Sequence, residues 1–146
     1  GGGMCKIINS NIILDGVLPV EKLFFGFEDL VFDLATKRAG YEILVDSKLF
    51  LQSRERTKRM NFKHVLSQKK EEKWVWREYY SIRNALYIYK KNKFYSAFLI
   101  TILTTLMKIL LSYRHGLNYG VLTSKVNFKA LKDFSNGKLH QIELSV

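Results

Sequence analysis

Proline and cysteine are almost missing from this chain. Pro19 is the only proline and Cys5 the only cysteine among 146 residues, so an internal disulfide and a CxxC metal site are excluded and a reducing compartment is expected. His64, His115 and His140 stand apart, with no second histidine or cysteine at ligand spacing and no obvious nucleophile nearby; no metal ligand is therefore assigned. The GxxxxGK[ST] phosphate loop, the GxGxxG fingerprint and the GxSxG elbow are all lacking, as are internal repeats and low-complexity tracts. The chain opens on Gly1, Gly2 and Gly3 rather than methionine, with no charged n-region and no cleavage-site pattern. Either the glycines are a cloning scar or the chain is a piece of a longer protein.

What is present argues for a folded chain. Hydrophobic residues make up 47% and aromatic residues 14%, enough for one modest core and too much for disorder. The net charge of +11 is unevenly spread: residues 1–50 hold five Lys/Arg against seven Asp/Glu, and the remainder holds nineteen against six. The basic field attracts phosphate-bearing partners, whether nucleic acid or anionic lipid, and charge alone does not choose between them.

The stretch FFGFEDLVFDLATKRAGY, residues 24–41, organises the first third. Gly26 permits a tight entry, Glu28 and Asp29 open a helix, and Gly40 closes it in the left-handed conformation. Phe27, Leu30, Val31, Leu34 and Ala35 recur at helical spacing as an apolar face, with Asp29, Asp33, Thr36 and Lys37 opposite. Acids in a first turn are favoured by the helix dipole alone. Here, however, Leu23, Phe24, Phe25 and Phe27 bring them to the edge of a core, where a carboxylate needs a partner or a purpose. Adjacent residues diverge by about 100° around a helix, so the two acids do not face each other across a substrate, and at most one does chemistry.

These residues resemble the (E/D)D helix of inverting family 2 glycosyltransferases with a GT-A fold, in particular the rhamnosyl- and galactofuranosyltransferase-like branch of cell-surface polysaccharide biosynthesis. Further segments match in the order that family uses. GGGM at 1–4 is similar to its glycine-rich acceptor-side strand, LPVEKLFFGFED at 18–29 to the segment leading into its catalytic helix, EYYSIRN at 78–84 to its Tyr/Arg-Asn segment, and KDFSNGKLH at 132–140 to its tail. The chain departs from the pattern at Val31, where a third acid is usual, and at Ala35, where an arginine is. The resemblance implies an α/β fold, the C-terminal part of a nucleotide-sugar transferase domain. It implies Asp29 as the general base that deprotonates the acceptor hydroxyl during transfer with inversion, and Glu28 as its supporting acid. Gly1, Gly2 and Gly3 would bind acceptor; a nucleotide-sugar donor and a divalent Mg or Mn ion would serve the intact enzyme, and neither is assignable to this chain, which alone should not turn over. The acceptor would be a saccharide or lipid-linked glycan.

In chain order, 4–7 is a candidate strand, Ile8, Ile12 and Ile13 a short helix ending at Asp15-Gly16, and 20–25 one or two helical turns after Pro19. Residues 41–45 and 48–51 are β-prone runs around a turn at Asp46-Ser47. The organisation expected is therefore an acceptor-side α/β half over 1–53, a basic linker over 54–73 and a mostly helical, membrane-associating region over 74–146. In that last region Trp74, Trp76, Tyr79, Tyr80, Tyr87 and Tyr89 interleave with Arg77, Arg83 and Lys90, a pattern suited to a membrane interface or to base stacking. The run FYSAFLITILTTLMKILLSY at 94–113 is broken only by Lys108. At about 30 Å it fits a membrane span, and equally a buried or interfacial helix; Lys108 would snorkel. A short helix over 124–137 should turn Val126, Ala130, Leu131 and Phe134 inward. The cytoplasmic face of a membrane is the expected location and nucleic acid the disfavoured partner; a non-catalytic basic membrane-surface or nucleic-acid binding module is the alternative function.

Overall fold

The computed structural model describes residues 7–20, 23, 25–57 and 68–139. Six α-helices run in order: α1 (Ser10–Leu14), α2 (Glu28–Arg38), α3 (Ser47–Arg56), α4 (Trp76–Lys91), α5 (Tyr95–Ser112) and α6 (Leu117–Ser135), with single 3₁₀ turns before α4 and after α5.

The last three helices form the core. α4 lies in the middle, touching both α5 and α6, which also pack on each other. It is covered on most sides, with Tyr79, Tyr80, Arg83, Asn84, Ala85, Leu86 and Ile88 all buried. α6 buries Tyr119, Thr123, Val126, Asn127 and Ala130, the three- and four-residue spacing of one helix face. α5 is turned the other way: its buried residues are Thr105, Ile109 and Ser112, while Leu99, Leu103 and Leu110 are 59%, 60% and 73% exposed.

Glycine and its substitutes end the helices. Past α2, Gly40 has φ 90°, and the N–H groups of Gly40 and Tyr41 donate to the carbonyls of Lys37 and Thr36, which is the Schellman closure expected of that glycine. Past α4 the same closure puts Lys93 at φ 60°, and Gly137 at φ 69° closes α6.

The expected α/β fold is overturned: among the described residues there is no strand, so no half of a GT-A sheet is built over 1–53. Residues 41–45 are without regular structure and join no ladder among the described residues; a lone segment has no partner strand to satisfy its backbone. Residues 48–51, expected to be β-prone, lie inside α3. Asp46 accepts a hydrogen bond from the Leu49 N–H at 3.0 Å, making the supposed β-turn an N-cap, and Arg54 lies over the Phe50 ring one turn on. Of the candidate strand 4–7 only Ile7 is described, exposed and outside any strand. Two helical expectations also shift: α2 buries Phe32 and Thr36 rather than Leu30 and Leu34, and the tail helix begins at Leu117.

Candidate functional site

The carboxylates singled out above open α2 in an unusual backbone setting. Gly26 and Phe27 both have positive φ, 76° and 71°, a conformation costly for a side chain as large as Phe27. Phe27 is the N-cap and supplies no side-chain cap bond. Glu28 and Asp29 therefore sit just inside the helix, where they meet the positive end of its dipole without being the N-cap. Glu28 is exposed and Asp29 half-buried. Gly1, Gly2 and Gly3 lie outside the described residues.

This turn is held by α4. The Asn84 side-chain amide donates to the carbonyls of Phe25, at 2.8 Å, and Gly26, at 3.1 Å. The Phe25 ring packs against Trp76, centroids 5.2 Å apart, and Tyr80, and the Arg77 guanidinium lies over both Phe25 and Trp74. At the other end of α2, Arg38 donates to Asn92, the C-cap of α4. Both ends of the carboxylate helix are thus tied to one neighbour.

Behind Asn84 runs a buried relay. Arg83, with no exposed surface, donates from Nε and Nη2 to Asn84 Oδ1 at 3.1 and 3.0 Å and from Nη1 to the Tyr79 hydroxyl at 3.3 Å. Tyr79 donates in turn to Asp133 Oδ2 at 2.8 Å. Burial and the Asp133 acceptor push the Tyr79 hydroxyl up to about 12, against the smaller opposing pull of Arg83. The relay connects α6 to the turn that carries Glu28 and Asp29. It also orients the Asn84 amide, since Arg83 claims the oxygen and leaves the nitrogen for the two carbonyls.

A second polar cluster sits beside it. Glu78, 3% exposed, is met by Lys70 Nζ at 2.9 Å and Lys108 Nζ at 2.6 Å. Lys108 points into the bundle, where it was expected to snorkel outward. Burial lowers its pKa, outweighing the attraction of Glu78, and the neighbouring Lys70 charge adds to the lowering.

The motif EYYSIRN was visible as a unit, but the roles within it were not. The adjacent Arg83 and Asn84, buried with Glu78 among the apolar residues of α4, are the signal that marks a buried network. Among the described residues no three His, Cys, Asp or Glu side chains are grouped to hold a metal ion. No step is routed through the divalent cation that the resemblance implies for the intact enzyme. Comparison with protein-family models, curated proteins and solved structures finds no match for this chain.

Proposed function

We propose that this chain carries the acceptor-side carboxylate of an inverting sugar transferase, mounted on a helical platform. The observation that carries this is the Asn84 clamp. The segments 24–41 and 78–84, both of which carry the resemblance, are bonded to each other across 58 and 59 residues, at the turn that delivers Glu28 and Asp29. The proposal concerns that helix and its platform only; a nucleotide-binding sheet is not part of it.

In this reading Asp29 takes the proton of the acceptor hydroxyl as the acceptor oxygen bonds to the anomeric carbon. The bond from that carbon to the nucleoside diphosphate breaks on the opposite face, inverting the centre, and the diphosphate leaves with the electron pair. Glu28, more exposed, bonds the acceptor or steadies Asp29. The test is sugar incorporation into lipid-linked or free saccharide by membranes of the chain's own host. Uridine and deoxythymidine diphosphate sugars are the donors, and the native reading frame carries either Asp29 or Asp29→Asn. Loss of about 10²-fold or more is expected, the usual contribution of a positioned base; undiminished incorporation removes Asp29 from the role.

A further inference from the structure

We infer that α5 lies flat in the surface of a bilayer containing anionic phospholipid, its outer stripe sunk to the acyl boundary. This goes beyond the sugar-transfer reading and does not depend on it. With its following 3₁₀ turn, α5 is long and apolar enough to cross a membrane by length and composition, so the question is which way it meets lipid.

The side-chain positions define the stripe. Leu99, Ile100, Leu103, Leu106, Met107 and Leu110 are all 40% or more exposed. At about 100° per residue they cover an arc of about 120°. Lys108, half-buried, faces the opposite side, paired with Glu78, and Thr105 and Ser112 are buried on that side together with Ile109. The helix's one charged group turned inward and its largest aliphatic stripe turned outward is the arrangement of a helix whose outer solvent is hydrocarbon.

The neighbours decide against a span. α4 and α6 both pack on α5, so a perpendicular α5 would take them into the membrane with it. Lys125 and Lys132 are exposed on α6, and a lysine at the bilayer centre costs about 2.5–3.5 kcal/mol. With α5 in the plane, the stripe is immersed while the exposed Lys93 and Arg114, just before and just after the helix, meet the headgroups, where a basic residue gains about 1 kcal/mol from anionic lipid.

Charge selects the occupant. Between Glu78 and Asp133 the chain has no acidic residue at all, while Lys90, Lys91, Lys93, Arg114, Lys125 and Lys132 are exposed there. A second copy docked across α5 would bring the same cations against each other, which disfavours self-association. A sheet of anionic headgroups over hydrocarbon complements both the border and the stripe.

The experiment uses the full chain with vesicles of phosphatidylcholine, alone or mixed with phosphatidylglycerol. Flotation is expected with the mixed vesicles at low salt, persisting in weakened form at high salt because the apolar contact is not screened, and much reduced with phosphatidylcholine alone. Leu103→Glu, at an exposed position, should reduce flotation at least tenfold with unchanged circular dichroism. In a Cys5→Ser background, nitroxides on Leu99→Cys, Leu103→Cys, Leu106→Cys and Leu110→Cys should report one common shallow depth. No flotation, flotation abolished by salt, flotation indifferent to Leu103→Glu, a depth maximum at mid-helix, or a stable dimer that shields these labels from aqueous reagents would each overturn the inference.

Discussion

Lys108, the only charged residue of α5, has its ammonium 2.6 Å from Glu78 Oε1, on the side of the helix that faces the bundle. The pair favours one rotation of α5 about its own axis, because turning the leucine stripe inward would carry Lys108 out and leave a carboxylate that is 3% exposed with Lys70 alone. Removing one partner is therefore expected to cost more than removing both. Lys108→Met should destabilise the chain by about 3 kcal/mol, the low end for a broken buried pair, since Lys70 still neutralises Glu78 from the surface. Adding Glu78→Gln should restore part of that. A urea-denaturation cycle in which the two losses simply add would show that the pair is not coupled.

The Tyr79 hydroxyl makes a prediction about alkaline pH. Its pKa is raised from 10.0 to about 12 in the fold, so the folded chain holds this proton more tightly than the unfolded chain does. The stability due to it is complete below pH 10 and is lost as pH climbs through about 12. Wild type should exceed Tyr79→Phe in stability at neutral pH, and the gap should narrow across that window. A gap independent of pH would mean that the hydroxyl is not the group being titrated.

The helices were largely legible in the sequence and the layer they form was not. Gly40 and Gly137 announced the ends of α2 and α6, because only a residue tolerant of positive φ completes a Schellman closure without strain. The same geometry at Lys93 had no such signal. Residues 41–51 looked β-prone from composition, but strand propensity is realised only against a partner strand, and Asp46 was available to start a helix. For the candidate site, Glu28 and Asp29 were placed correctly in a first turn. That Asn84 grips the carbonyls just before them depends on a tertiary contact no local pattern encodes.

Gly120 tests close packing between the 3₁₀ turn after α5 and α6. A Cβ there would lie 2.5 Å from Tyr113 Cδ1 and 2.6 Å from Cγ, and the Tyr113 hydroxyl is held by Ser124 at 3.2 Å. Helix propensity alone favours alanine over glycine by about 1 kcal/mol. Gly120→Ala should nonetheless destabilise the chain, by about 1–3 kcal/mol, the usual penalty of overpacking. Paired with Tyr113→Ala, which vacates the space, the same substitution should become neutral or stabilising. Thermal melts of the four proteins distinguish the outcomes, and a stabilised single variant would show that the ring moves aside freely.

Asn84 offers the sharpest separation of platform from site. Asn84→Ala removes the acceptor of a fully buried guanidinium and the donor to two carbonyls together, so a loss of about 2–4 kcal/mol would not say which mattered. Asn84→Asp separates them. Its carboxylate keeps an acceptor for Arg83, in charge-assisted form, but presents oxygen where the carbonyls of Phe25 and Gly26 need a donor. The expected result is an intact α4–α6 bundle with a released α2. Amide exchange should quicken at Val31, whose N–H bonds the Phe27 carbonyl at the start of α2, while Ile88 and Val126 stay protected. Under the sugar-transfer reading, incorporation should fall with that release, although neither carboxylate has been altered. Uniform loss of protection in all helices would make Asn84 a general core residue. Unchanged exchange at Val31 would show that the two carbonyls are not what holds the carboxylate helix in place.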